Sequence, residues 1–234
     1  MGFFYTIGLP QQEIGVFSFY KENNMRKIIT TTFVTLDGVM QAPGGPKEDT
    51  SGGFTQGGWS AHYWDDIMGE VMNGFMSLPF ELLLGKLTYD IFAAYWPHAD
   101  KDGAVARPFN ATKKYAVSDA SAQLSWQNSE LVTGDVVTEI AKLKEMDGPD
   151  LWVHGSGKLI QTLLKNNLID RMHIWTFPVT VGGGKRLFAE GTGAKGFALT
   201  DSKVSKTGVI IATYEPVGPL KTGTIGEETQ VFIN

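Results

Sequence analysis

The stretch LWVHGSGKLIQTLL, residues 151–164, carries the sharpest chemical signal in the sequence. An apolar strand runs into Gly155-Ser156-Gly157, and a helix starts directly afterwards. Glycines let the backbone approach a pyrophosphate closely, and the N–H groups of a helix start favour an anion. Lys158 adds a cation to the same turn. Ile160 stands where a full dinucleotide fingerprint has its third glycine, and Gly157-Lys158 is followed by Leu159 rather than by the hydroxyl residue of a P-loop. A purely structural turn accounts for the same residues.

A second junction of this type is LLLGKLTYDIF, residues 82–92. Gly85 permits close approach, Lys86 supplies a charge, and Thr88 is placed to cap the helix or bond a phosphate. Two such crevices at the carboxyl ends of parallel strands are where α/β sheets bind ligands. A third cluster, Gly182-Gly183-Gly184-Lys185-Arg186, sets Lys185 and Arg186 against a substrate phosphate or carboxylate, or else forms a turn with surface charges.

Acid–base work falls to Asp37, Asp65 and Asp66. Asp65 and Asp66 begin a helix, where carboxylates also serve as caps, and Asp37 precedes Gly38 in a turn. Trp59, Tyr63 and Trp64 either wall a flat ring or belong to the core. Four histidines, His62, His98, His154 and His173, lack metal-ligand spacing, so no protein-bound metal is expected.

The elements that must position these groups alternate between strand and helix periods. Residues 27–40 read as a strand turning at Asp37-Gly38. A Gly/Pro-rich loop spans 41–58, a length that usually marks a functional segment. Helices are expected at 64–76, 88–94, 135–146 and 158–168, with Asp135 as an N-cap. Short strands are expected at 80–84, 114–118, 130–133 and 151–154. Two longer ones follow at 171–181 and 207–214, the second antiparallel to the first. This pattern predicts one α/β domain whose sheet is mostly parallel with an antiparallel edge.

The 234 residues are 42% hydrophobic and 19% charged, with a net charge of −5, enough for a substantial core. An acidic chain without a basic run is a poor partner for nucleic acid. No stretch approaches the roughly 18 apolar residues of a membrane span. Cysteine is absent, which excludes disulfides, thiolate zinc sites and thiol catalysis. Residues 1–24 lack the form of a secretory signal; they read as a leader or a subunit-pairing arm outside the fold, and 217–234 as a peripheral tail. A cytoplasmic location is the expectation.

Taken in order, FVTLDGVMQAPGGP, LLLGKLTYDIFAAYWP, KYAVS, LWVHGSGKLIQTLL, FPVTVGGGKRLF and TGVIIATYEP resemble the reductase domain of bacterial riboflavin-biosynthesis deaminase–reductases. They resemble more closely its stand-alone relatives of the dihydrofolate reductase family. The likeness covers roughly residues 25–216. It implies a dihydrofolate-reductase-like three-layer α/β/α fold and NADPH as hydride donor, held at its pyrophosphate by Gly155, Ser156, Gly157 and Lys158. It further implies that Gly85, Lys86 and Thr88 meet the adenosine end, with Lys86 on the 2′-phosphate and Ser118 near the ribose. Loop 41–58 would close over the nicotinamide. A homodimer is a family-level expectation.

The zinc-binding deaminase half has no counterpart here. Two functions remain open on these residues. One is an NADPH-dependent reductase of a pterin or ribosylaminopyrimidine, with Trp59, Lys185 and Arg186 as substrate contacts. The other is a nucleotide-binding protein of the same fold with little or no catalysis.

Overall fold

The computed structural model describes residues 25–224. The leader expected over 1–24 therefore lies outside the described residues, as do residues 225–234 of the expected tail. Thirteen main elements follow in chain order. They are β1 (Ile28–Thr35), α1 (Asp66–Met76), β2 (Phe80–Gly85), α2 (Lys86–Tyr95), α3 (Ala106–Ala111), β3 (Lys114–Val117), β4 (Ser129–Val132), α4 (Val136–Glu145), β5 (Asp150–His154), α5 (Gly157–Lys165), β6 (Arg171–Phe177), β7 (Lys195–Val204) and β8 (Ile210–Pro219).

The strands form one sheet in the order β4-β3-β2-β5-β1-β6-β8-β7. The first six run parallel, and β8 and β7 close the edge antiparallel. This is the expected architecture. β1 sits near the centre and is buried almost throughout, as a parallel strand covered on both faces must be. One face packs against Met68, Met72 and Met76 of α1, Tyr89 of α2 and Phe109 of α3. The other takes Ile140 and Leu143 of α4 with Leu159, Ile160, Leu163 and Leu164 of α5. Along α1 and α5 the packed residues recur at three- and four-residue spacing, the period of one helix face.

Asp135 caps α4, accepting from Thr138 N–H at 2.9 Å. Several expectations change, and α3 is a helix that the expected elements lack. The helix expected at 88–94 starts at Lys86 with Gly85 as its cap residue, so Thr88 lies inside the first turn and caps nothing. The strand expected to reach 181 stops at Phe177, because Pro178 has no N–H to continue the ladder. β8 runs on to Pro219, taking three residues from the expected tail. β7 was not expected at all. It is an edge strand exposed along most of its length, so burial imposes no period-two pattern on it.

Candidate functional site

The carboxyl ends of β1, β2 and β5 open into a cleft of about 2040 Å³. Ligand pockets commonly run to about 300–1,000 Å³, so this one has room for a dinucleotide and a second molecule. Both glycine junctions lie in its lining: Gly85, Lys86 and Thr88 from the first, Gly155, Ser156, Gly157 and Lys158 from the second.

The two junctions are built as one unit. Ser156 is left-handed, at φ 62° and ψ 54°, and Gly155 before it has φ 60°. Left-handed Ser156 followed by helical Gly157 is the alternation of hand that turns successive N–H groups toward one concave surface suited to an anion. The Ser156 hydroxyl, freed from capping, accepts from Gly85 N–H at 3.0 Å. A Cβ on Gly85 would lie 3.6 Å from that of Ser156, which records how closely the strand ends approach. α5 closes its first internal bond from Ile160 N–H to Ser156 O, so the N–H groups of its first turn remain available to a ligand. α2, likewise without a side-chain cap, opens at the same place.

Charge in the cleft departs from that of the whole chain. Lys47, Lys86, Lys158, Lys185 and Arg186 face only Glu48, Asp49 and Asp90, a positive excess inside an acidic protein. Such focusing favours an anionic ligand. Lys86 already bonds both Asp90 oxygens, each at 2.6 Å, and Lys185 pairs with Asp49 at 2.6 Å. Burial would raise the Asp49 carboxyl, but its bonds from Lys185 and Ser51 together hold it below its usual value. Glu48 moves the other way, raised mainly by burial.

Residues 41–51 form one wall of the cleft, and Gln41 anchors them. Its amide donates to Asp49 O and Ser51 O at 3.1 and 2.9 Å and accepts from Lys185 N–H at 3.0 Å. Trp59 is buried behind this wall, donating to Gln41 O at 2.8 Å and packing edge-on against Phe177. It braces the loop and does not line the cleft. Ser118 also stands outside the lining, its N–H bonded to Val132 O; Val117 is the residue of that strand end that lines it.

None of the three carboxylates singled out for acid–base work lines the cleft. Asp65 caps α1, accepting from Met68 N–H at 3.0 Å and from Thr207 N–H at 3.2 Å. Desolvation would raise it, yet these N–H bonds together hold it below its ordinary value. Asp66 is 73% exposed and pairs with Lys206, which lowers it. Asp37 accepts from Thr35 Oγ1 and from the N–H groups of Gly182 and Val181, and is lowered chiefly by the Thr35 bond. It ties the triple-glycine turn to the end of β1.

The cleft floor carries polar groups that no sequence motif marks. His154, only 8% exposed, has an Nε2 with no hydrogen-bond partner, and the hydroxyls of Thr31 and Thr32 have none either. All three residues line the cleft. A signal existed in the position of His154, immediately before the glycine turn.

The family described as the RibD C-terminal domain matches residues 26–212. The Bacillus subtilis protein YyaP, an uncharacterized protein, is 25% identical over 201 residues, covering 82% of this chain and 97% of YyaP. A putative riboflavin biosynthesis protein from Shewanella sp. PV-4 superposes with a TM-score of 0.62 at 24% identity, over 81% of this chain and 98% of that one. Dihydrofolate reductase from Enterococcus faecalis, complexed with NADP(H), superposes with a TM-score of 0.53 at 12% identity, over 82% of this chain and 96% of the reductase. These likenesses show a dihydrofolate-reductase-like α/β fold.

Proposed function

Since this chain belongs to the RibD C-terminal domain family, a family of reductase type, we propose that it is an NADPH-dependent reductase of a flat heterocycle. The substrate class is of ribosylaminopyrimidine or pterin type. The observation that carries the reading is the bond from Gly85 N–H to Ser156 Oγ, which joins two glycine-bearing strand ends in a cleft of dinucleotide size.

The residues present fit the cofactor. Gly155, Ser156, Gly157 and Lys158 would hold the pyrophosphate through N–H groups and the positive end of α5. Gly85, Lys86 and Thr88 would hold the adenosine end. Bound NADPH supplies the hydride, and the protein supplies orientation and exclusion of water. Residues 41–51 wall the cleft, and Lys185 and Arg186 on its rim suit an anionic group on the substrate. Fluorescence titration with NADPH and NADH, repeated on Gly155→Val, tests this. Tight NADPH binding lost in the variant supports the cradle, and unchanged binding removes it.

One observation favours a second reading, a nucleotide-binding protein of the same fold with little or no catalysis. Asp37, Asp65 and Asp66 are each engaged in structural bonds outside the cleft. NADPH oxidation assayed against dihydrofolate and aminopyrimidine substrates separates the two readings. Turnover with any of them supports the reductase, and binding without turnover across the panel supports the second reading.

Pairing with a second copy of the chain is part of the same proposal. Leu199, Val204, Ile210 and Val217 are exposed on the β7–β8 hairpin at the sheet edge, a patch of the kind that subunit contact covers. Light scattering of wild type and Leu199→Lys/Val204→Lys checks it: a dimer turned monomeric supports pairing, and a wild-type monomer excludes it.

A further inference from the structure

His154 sits in the floor of the cleft among Phe109, Phe92 and Trp96, whose rings form a continuous cluster with centroids 5.0 to 6.0 Å apart. Met72 and Val105 line the same cleft, and neither they nor the rings carry a charge. The Trp96 indole nitrogen is buried without a partner, as is His154 Nε2. Thr31, the registered neighbour of His154 on β1, adds a third unpartnered polar atom. A buried polar group left unpaired costs about 1–3 kcal/mol, so these groups favour a ligand that brings polar atoms to the cleft floor.

The register explains why His154 is the group available to such a ligand. Thr31 pairs with His173 on its other side, and His173 with Thr213. His173 spends its Nδ1 on the Thr213 hydroxyl at 3.0 Å and lies under the Phe75 ring at 4.3 Å. It is the occupied end of this polar row. His154 is the other end, a residue of the cleft lining whose buried Nε2 has no partner.

We propose that His154 fixes the polar edge of the reducible ring, with Thr31 beside it, in an aromatic recess that accepts an uncharged heterocycle. This rests on the reading of the cleft as a reductase site. The imidazole stays neutral, pushed down to about 3 by burial first and by His173 second. The unpartnered Nε2 of a neutral imidazole is a donor or an acceptor according to tautomer, so it can meet either an N–H or a carbonyl group on a pyrimidine or pterin edge. Any phosphate on the substrate lies away from this recess, toward Lys185 and Arg186. The recess rejects a ring that carries its own carboxylate, because burying an unpaired charge is costly.

The test uses full-length protein labelled with 15N-histidine, His154 being assigned by its loss in His154→Gln. Pterin, 5-aminouracil and orotate are added with and without saturating NADPH. A neutral probe should move the His154 signal while orotate does not. Affinity for that probe should fall about tenfold or more in His154→Phe and stay within about threefold in His154→Gln, the scale of one buried hydrogen bond. The proposal is overturned if neither neutral probe moves the signal, if orotate binds as well, or if His154→Phe binds as wild type does. NADPH titration of the wild type is read separately. Its failure removes the cofactor reading, while the response to probe alone still decides the role of His154.

Discussion

The backbone N–H of Gly85 donates to the Ser156 hydroxyl at 3.0 Å across 71 residues of sequence. Two junctions that are each unremarkable alone are thereby fixed against one another at the ends of β2 and β5. The left-handed backbone of Ser156 is what turns its hydroxyl toward a neighbouring strand rather than toward its own helix.

Ser156→Ala should cost about 1 kcal/mol of stability, the net worth of one hydrogen bond, and should weaken NADPH binding in proportion. Denaturant unfolding and fluorescence titration measure the two together. A variant as stable and as tight-binding as wild type would show the bond to be incidental.

Lys86 bonds Asp90 one turn along its own helix. Exposed pairs at this spacing are worth about 0.3–0.5 kcal/mol, so a phosphate dianion can compete for the lysine. Lys86→Gln should therefore weaken NADPH binding and leave NADH binding little changed. Asp90→Asn, which releases the lysine, should tighten NADPH binding. Equal effects on both nucleotides would move the 2′-phosphate elsewhere.

The histidines set a pH dependence of stability. His173 is pushed down to about 4, by burial first and by Arg171 second, with Asp201 opposing; an unfolded histidine titrates near 6.5. Between these values the unfolded chain binds more protons than the native one, so stability rises with pH across the window and is lost on acidification. For His173 the scale is about 3 kcal/mol. Melting curves of wild type and His173→Phe at pH 7 and pH 4.5 check this, and the variant should show the smaller loss. Identical losses would place the acid sensitivity in His154 or the carboxylates rather than in His173.

Asp65 and Asp66 are adjacent but unequal. Asp65→Ala removes the α1 cap and should cost about 1 kcal/mol. Asp66→Asn, on an exposed side chain, should stay within about 0.5 kcal/mol. Neither lines the cleft, so NADPH affinity should hold in both. A loss of affinity in Asp66→Asn would contradict the geometry.

Much of the fold was legible because the chemistry is local. Asp135 is where a cap should be, the stripes of α1, α4 and α5 are the packed faces, and Pro and Gly mark the junctions. β7 was not legible, since an exposed edge strand leaves no burial pattern. The start of α2 was misplaced by two residues because Gly85, not a hydroxyl side chain, precedes it. At the site, glycine turns and their lysines were readable as composition. The role of His154 was not, because an unpartnered nitrogen exists only once Thr31 and Phe109 are folded around it. Trp59 reads as ring wall or core, and its bond to Gln41 O and its packing on Phe177 place it behind the cleft wall.

The most direct test of the cradle is titration of the wild-type protein with NADPH and NADH, with Gly155→Val as control. Gly155 has φ 60°, a conformation that a β-branched residue strongly disfavours. The expected result is saturable NADPH binding, tighter than NADH, that collapses in a variant still folded by its melting curve. NADPH binding that is absent in the wild type, or undiminished in the folded variant, would contradict it.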